Sequence, residues 1–89
     1  MKAIVTVIGK DRVGIIAEVC TLLAGNGVNI LDISQTVMQE IFTMTMMVDT
    51  AACTLPFDQL QAALRDKGSD TGLQIRIQRE DIFEAMHRI

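Results

Sequence analysis

The spacing of apolar residues changes several times along this chain, and the order of those changes limits its fold more than any other feature. Apolar residues that alternate indicate a β-strand, whereas recurrence about every 3.6 residues indicates an amphipathic helix. Residues 3–8 are largely apolar on both sides and predict a strand in the middle of a sheet. Residues 15–23 follow the helical spacing and predict a first helix. Its apolar stripe comprises Ile15, Ile16, Val19, Leu22 and Leu23.

The middle of the chain predicts two strands joined by a tight hairpin. Residues 42–49 alternate cleanly between inward apolar positions and the positions between them. Between positions 28 and 38, the apolar residues switch from one set of alternate positions to the other. A bulge or a strong twist would keep both sets on the same face of the strand. Gln39 and Glu40 are the most polar neighbours, so we place the hairpin turn there.

The second half of the chain repeats the order of a helix and a strand. Thr54 and Pro56 predict the start of a second helix, because proline is well tolerated in a first helical turn. Lys67 and Gly68 predict its end, and the SDTG segment that follows is expected to form a loop. The inner stripe of this helix comprises Phe57, Leu60, Ala63 and Leu64.

A last strand and a short helix complete the predicted elements. Residues 73–78 alternate and predict a strand with one polar face. Asp81 and Glu84 have the spacing of a capping box, which predicts a short helix from Asp81 to Ile89. We expect this helix to dock on its own domain or on a partner subunit, because its apolar side chains need burial. Those side chains are Ile82, Phe83, Met86 and Ile89.

The resulting order, β-α-β-β-α-β, is that of the ferredoxin-like or split βαβ fold. This α+β fold has a four-stranded antiparallel sheet with both helices on one face, here followed by the short C-terminal helix. The chain has 89 residues, so we expect a single domain over residues 1–89. The other face of the sheet is then left for solvent or for a partner.

Composition and charge argue against several classes of partner. Hydrophobic residues make up 49% of the chain, which predicts a folded domain rather than disorder. The net charge is −3 and aromatic residues are only 3%, so neither electrostatic binding of nucleic acid nor base stacking is expected. Attraction to anionic membranes is disfavoured for the same reason. The sequence shows no signal peptide and no apolar run near ~20 residues, so we expect a cytoplasmic protein.

The residue types needed for catalysis or metal binding do not occur at useful spacings. Cys20 and Cys53 are far apart and form no CxxC motif, so we expect no disulfide framework and no metal. We find no Ser/His/Asp set, no spaced carboxylate pair and no phosphate loop. We therefore expect no catalytic residues, no cofactor and no enzymatic activity.

The segment between the first strand and the first helix is unusually charged for a connection between two buried elements. Within residues 8–19, IGKDRVGIIAEV, the connecting residues 9–14 contain three charges and two glycines. Asp11 is expected to cap the helix, and Gly14 is expected to let the helix start close to the strand. The free N–H groups of the first helical turn then form a candidate anion site.

Residues 11–35, DRVGIIAEVCTLLAGNGVNILDISQ, resemble the ACT domain. The usual ACT pattern runs Asp/Asn-Arg-Pro-Gly followed by two apolar residues, then a helix, then Gly-Val-Asn-Ile. The chain is also similar to small stand-alone ACT proteins of the UPF0237 type, and to ACT domains in the glycine-cleavage repressor and in formyltetrahydrofolate deformylase. The matching positions are Asp11, Arg12, Gly14, Ile15, Gly27, Val28, Asn29 and Ile30.

The resemblance implies a small regulatory module that senses an amino acid or a related metabolite at a homodimer interface. It further implies a change of association with a protein partner. The turn offers N–H groups to a carboxylate, and Asp11 offers a charge to an ammonium group. Val13 departs from the family pattern, because proline usually stands there with its fixed φ. The candidate ligand-binding residues are Asp11, Arg12, Val13, Gly14, Ile15 and Asn29.

Each of these positions also has a purely structural interpretation. Asp11 is also suited to a helix cap, Asn29 to a turn and Arg12 to a solvated surface position. Two other functions therefore stay open: an oligomerisation or protein-interaction module without a ligand, and a small acylphosphatase-like hydrolase. The hydrolase is disfavoured because the residues GKDRVG, at positions 9–14, do not reproduce the arginine cradle of acylphosphatases.

Overall fold

A computed structural model describes residues 1–10 and 13–81 of the chain. These ranges contain four strands and two helices in the predicted order, and the strands form one antiparallel sheet in the order β2-β3-β1-β4. The ferredoxin-like α+β fold is therefore confirmed. The elements are β1 (Lys2–Lys10), α1 (Ile15–Gly25), β2 (Asn29–Met38), β3 (Ile41–Asp49), α2 (Phe57–Thr71) and β4 (Gln74–Arg79). Of the helix predicted for Asp81–Ile89, all residues after Asp81 lie outside the described part.

Strand β1 lies in the middle of the sheet, as the apolar character of both its faces predicts. It pairs with β3 along its whole length, from Lys2 opposite Asp49 to Lys10 opposite Ile41. On its other side it pairs with β4. The central position leaves β2 and β4 as the two edges of the sheet.

The hydrophobic core lies between the sheet and the two helices. Alternate residues of β1, β3 and β4 point toward the helices and are buried, as the strand periodicity predicts. We call the opposite surface, which carries Ile4, Thr6 and Ile8 of β1, the outer face. The most deeply buried core residues are Val5, Val7, Ile15, Val19, Leu23, Met44, Met46, Val48, Leu60 and Leu64.

The hairpin between β2 and β3 turns at the predicted residues. Met38 pairs with Ile41, and Gln39 between them adopts a positive φ of 57°. The predicted irregularity in β2 is also present, because the register with β3 shifts between Ile30 and Asp32. The change in which alternate positions of β2 are apolar therefore corresponds to a bulge in the structure.

The predicted end of α2 at Gly68 is wrong, because the helix continues to Thr71 and ends at Gly72 with a left-handed φ of 76°. Gly68 is buried, and a Cβ atom there would lie 2.5 Å from the carbonyl oxygen of Leu73. This glycine therefore permits close packing of α2 against the start of β4, rather than a helix end. The SDTG segment accordingly forms the last turn of the helix and its cap instead of a loop.

Edge strand β2 is exposed over most of its length, because every residue from 31 to 38 is solvent-exposed. Several of these residues are large and apolar, and Met38 reaches 70% exposure. The exposed apolar residues of β2 are Leu31, Ile33, Val37 and Met38.

Candidate functional site

Val13 and Gly14 are the described residues of the turn between β1 and α1, and they follow β1 at the end of the sheet where Lys10 pairs with Ile41. Val13 is 98% exposed, and Gly14 is also exposed. Asp11 and Arg12 lie outside the described residues. Val13 and Gly14 are thus open to a ligand from solvent.

The N-cap position of α1 is Gly14 and not Asp11, so the predicted cap is wrong in its position. The first helical residue is Ile15, and the N–H of Glu18 donates to the carbonyl of Gly14 at 2.9 Å. Gly14 has no side chain with which to cap the helix. The N–H groups of residues 15–17 therefore have no acceptor within the helix.

Gly14 is needed for its backbone conformation, and the close approach of β1 that we expected there is absent. Its φ is 92°, in the left-handed region, where a Cβ atom is disfavoured. A Cβ built on Gly14 meets no atom within 4 Å. The space over this residue is open, and a bound molecule can approach its backbone.

The two isoleucines that follow the glycine have different environments. Ile15 is 2% exposed and belongs to the core, so only its backbone N–H is available to a ligand. Ile16, which the helical stripe placed inside, is 37% exposed. The buried stripe is narrower than predicted, since Ile15, Val19 and Leu23 recur four residues apart. Ile16 and Val13 thus give the turn an apolar exposed surface.

Asn29 lies at the other end of the domain from this turn. It begins β2 and pairs with Asp49, at the end of the sheet where Lys2 also pairs with Asp49. Helix α1, whose 11 residues span roughly 16 Å, separates Asn29 from Gly14. Within one subunit, the structure does not bring Asn29 together with the described residues of the turn.

The glycine before Asn29 has a structural role that the sequence interpretation missed. Gly27 has a φ of 77°, and a Cβ atom there would collide with the carbonyl oxygen of Ala52. The side chain of Asn26 donates to the carbonyl of Leu22 at 2.8 Å and so closes the helix end. The backbone N–H of Thr54 donates to the carbonyl of Asn26 at 2.9 Å. The residues before Asn29 therefore fasten α1 to the loop that follows β3.

Asp49 is an acidic neighbour of Asn29 that the sequence interpretation did not single out, because it ends an ordinary alternating strand. Its carboxylate accepts a hydrogen bond from the N–H of Ala51 at 2.9 Å and lies 3.4 Å from the N-terminal ammonium. The hydrogen bond, followed by the ammonium, holds the pKa of Asp49 below its ordinary value. Its charge is therefore present throughout the neutral range.

The described residues do not form a centre suited to metal binding or to thiol chemistry. In residues 1–10 and 13–81, no group of three or more His, Cys, Asp and Glu side chains is placed to hold a metal ion. Cys20 packs against the core, and burial raises the pKa of its thiol. Cys53 is half-buried and also contacts the core. Among the described helices, neither α1 nor α2 is long and apolar enough to cross a membrane.

An open groove of about 570 Å³ lies at the opposite edge of the sheet, between α2 and β4. Gln61 crosses it, and its side-chain amide donates to the carbonyl of Ile77 at 3.1 Å. Arg65 and Arg76 also line the groove. None of the predicted site residues that the structure describes, which are Val13, Gly14, Ile15 and Asn29, lines this groove.

Comparison with known proteins places this geometry in a family. The sequence profile of the ACT domain matches residues 2–78. A UPF0237 protein of Clostridium acetobutylicum is 54% identical over 89 residues, which is 100% of both chains. The structure of an ACT domain protein from Streptococcus pneumoniae superposes with a TM-score of 0.83 at 45% identity, covering 98% of each chain.

A regulatory protein gives a more distant match. The ligand-free regulatory subunit of aspartate kinase from Thermus thermophilus superposes with a TM-score of 0.68 at 26% identity. The match covers 89% of this chain and 51% of that subunit. Fold, motif and full-length identity agree: this chain belongs to the ACT domain family, within its UPF0237 group.

Proposed function

We propose that this protein is a regulatory module that binds a free amino acid or a related metabolite between two copies of the chain. ACT domains are typically regulatory modules that bind small molecules. One observation carries the proposal: the two halves of the candidate site lie at opposite ends of the sheet, and the exposed strand β2 forms one edge of that sheet. An antiparallel pair of such strands brings the two halves together.

The helix start supplies the carboxylate-binding half of the site. The N–H groups of residues 15–17 lack acceptors within α1, and the helix dipole makes this end electropositive. Gly14 leaves the approach open, because a Cβ there has no atom within 4 Å. The arrangement suits a small anion such as the α-carboxylate of an amino acid.

The ammonium-binding half consists of Asp11 and of Asn29 of the partner subunit. Asp11 supplies the negative charge, and the amide oxygen of Asn29 accepts a hydrogen bond from the ammonium. Val13 lies at the rim of the site, and we assign Arg12 to the same site from its position in the motif. Val13 is 98% exposed and provides an apolar contact for the ligand side chain.

Pairing of two β2 strands across a twofold axis gives the required geometry. In an isologous antiparallel pair, the start of one strand lies beside the end of the other. Asn29 of the partner subunit then lies near Met38, at the end of the sheet where Lys10 pairs with Ile41 and the turn begins. The exposed apolar residues Ile33 and Val37 become buried in the same interface.

Calorimetry with the individual amino acids tests binding, and a subunit-mixing experiment tests the composite site. Asp11→Ala and Asn29→Ala homodimers are both expected to bind weakly, because each site then lacks one partner. A mixed dimer of the two variants has one doubly altered site and one intact site. Equal mixing therefore restores about one site in four to wild-type affinity. No recovery in verified mixed dimers would place both residues in a site within one subunit.

The exposed β2 strand also favours a second function, a protein-interaction module that holds no small molecule. Its apolar residues need a partner whether or not a ligand is present. In that case, calorimetry with the amino acids shows no heat of binding. The protein is still a dimer, and Asp11→Ala leaves the dimer unchanged.

A further inference from the structure

The groove between α2 and β4 is lined by two positive charges and by no negative charge of the described residues. Its charged lining residues are Arg65 on α2 and Arg76 on β4. The chain as a whole has 11 acidic residues against 8 lysines and arginines, so a lining without a carboxylate departs from the average surface. The groove is therefore an electropositive site on a protein with a net charge of −3. Its polar uncharged lining residues are Gln61, Ser69, Gln74 and Gln78.

Both arginines of the groove are exposed, and neither forms an ion pair within residues 1–10 and 13–81. Arg79, the last residue of the same strand, differs in this respect, because it pairs with Asp81 at 3.0 Å. Across the sheet, Arg76 lies opposite Thr6, which carries no charge. The guanidinium groups of Arg65 and Arg76 are thus available to an anion from solvent.

The backbone of edge strand β4 and the side chain of Gln61 add hydrogen-bond donors to the groove. The carbonyl of Ile77 points out of the sheet, because it accepts the hydrogen bond from the Gln61 amide. The N–H of Ile77 points the same way, since both backbone groups of a strand residue lie on one side. The Gln61 amide has a second hydrogen that its bond to Ile77 does not use. The groove therefore offers amide donors as well as its two cations.

The same contact argues against the addition of a peptide strand to this edge. An added strand would need the carbonyl of Ile77 for its ladder, and Gln61 already occupies that acceptor. At the start of β4, helix α2 comes too close for a further strand. A Cβ atom on Gly68 would lie 2.5 Å from the carbonyl oxygen of Leu73 and 3.4 Å from the nitrogen of Ile75. A small molecule therefore suits this groove better than a peptide does.

The size and shape of the groove agree with a ligand of this kind. Its volume of about 570 Å³ lies within the ~300–1,000 Å³ that is typical of small-molecule sites. Its lining follows β4 from Leu73 to Gln78, a length of about 17 Å of strand. Because Arg65 and Arg76 belong to the two walls of the groove, a ligand that uses both arginines needs two anionic groups.

We infer that the groove between α2 and β4 binds a small molecule with two anionic groups, which are carboxylates or phosphates. Arg65 holds one group and Arg76 the other, and the amide donors of Gln61 and Ile77 bind its oxygen atoms. None of these residues belongs to the proposed amino-acid site. The inference therefore stands whether or not an amino acid binds at the start of α1.

NMR titration of the full chain with pyrophosphate and with succinate, at constant ionic strength, tests the site and separates the two kinds of ligand. We expect at least one of these dianions to cause saturable shifts of the Ile77 backbone amide and of the Gln61 side-chain amide. The probe that binds more tightly identifies the anionic group as phosphate or carboxylate.

Three substitutions of equal charge test the role of the arginines. Arg65→Gln and Arg76→Gln should each weaken binding of that probe by roughly ten- to a hundredfold, as expected for the loss of a charged hydrogen-bond partner. Arg79→Gln is the matched control, because Arg79 lies outside the groove and is already paired. It should change the affinity by less than about twofold, since exposed charges at a distance are screened. All three side chains are exposed, so circular dichroism should stay native.

Three results overturn the inference. Shifts that do not saturate with either probe show that the groove binds no dianion. Equal weakening by all three substitutions shows a general attraction between charges and no defined site. Saturable shifts of the N–H signals of residues 15–17 without a shift at Ile77 place the anion at the start of α1. That last result supports the proposed amino-acid site and removes the groove, so the two proposals fail separately.

Discussion

Gly14 and Asn29, two residues of the same short sequence motif, lie at opposite ends of helix α1. The motif is continuous in the sequence, but its two halves are roughly 16 Å apart in one subunit because a helix of 11 residues lies between them. A ligand as small as an amino acid spans far less than this distance. A ligand that contacts both residues therefore needs a second copy of the chain, and its binding is then coupled to dimer formation.

Asn29→Ala is expected to weaken amino-acid binding by roughly ten- to a hundredfold, which corresponds to the ~1.5–3 kcal/mol of a charged hydrogen bond. The melting temperature should change little, because Asn29 is exposed at the start of β2. Asn26→Ala is the matched control. It removes the bond to the Leu22 carbonyl and should lower the melting temperature without changing affinity. A lower melting temperature and an unchanged affinity for Asn29→Ala would falsify the assignment of Asn29 to the ligand.

Gly14→Ala is expected to destabilise the fold by about 1–2 kcal/mol, since an alanine with a φ of 92° is strained. In a domain of this size, the melting temperature should fall by roughly 4–16 °C. Gly25→Ala is the control within the same helix. A Cβ on Gly25 meets no atom within 4 Å and no positive φ is involved, so its stability should be unchanged or slightly higher. Equal effects of the two substitutions on thermal denaturation contradict the conformational explanation.

Ile33→Lys is expected to convert the dimer to a monomer, because it places a charge in the paired β2 edge. Ile8→Lys is the matched variant, since both isoleucines are 40% exposed. Light scattering at micromolar concentration should give the monomer mass for Ile33→Lys and the dimer mass for Ile8→Lys. If Ile8→Lys alone dissociates the protein, the interface lies on the outer face. If the wild-type protein itself gives the monomer mass at this concentration, the predicted dimer is wrong.

The pKa of Asp49 predicts the pH dependence of one stabilising contact. Because the Ala51 N–H and the N-terminal ammonium hold this pKa below its unfolded-state value, the carboxylate stabilises the fold above the unfolded-state pKa. That contribution is lost as the pH falls through the folded-state value. The melting temperature of Asp49→Asn should therefore lie below that of the wild type at pH 7 and approach it in acid. Asp70→Asn, which removes an exposed carboxylate from α2, controls for the change in net charge.

Most of the fold was predictable because its elements show in the local spacing of apolar and polar residues along the chain. The alternation of residues 42–49, the polar pair Gln39 and Glu40, and the parity change before Met38 each depend on neighbours only a few residues away. The end of α2 was not predictable in this way. Gly68 resembles a helix terminator, and its contact with the Leu73 carbonyl becomes visible only when the chain has folded back.

The candidate site was predictable in its residue types but not in its arrangement. Gly14 was correctly marked as special, although its positive φ replaces the close contact that we expected. Nothing in the local pattern shows that Asn29 emerges at the far end of the sheet, since that depends on the length of α1 and on the register with Asp49. A sequence motif therefore identifies candidate site residues, but it does not show which of them lie close together in the folded protein.

The exposed edge strand also has a consequence for how the protein behaves in a crowded cell. Residues 33–38, ISQTVM, contain no charge, no proline and no glycine, a composition typical of segments that stack into fibrils. Asp32 and Glu40 flank this window and act as gatekeepers against such stacking. A chain whose β2 edge stays uncovered thus depends on these two charges for protection against aggregation, and any partner that covers the edge also acts as a solubilising factor.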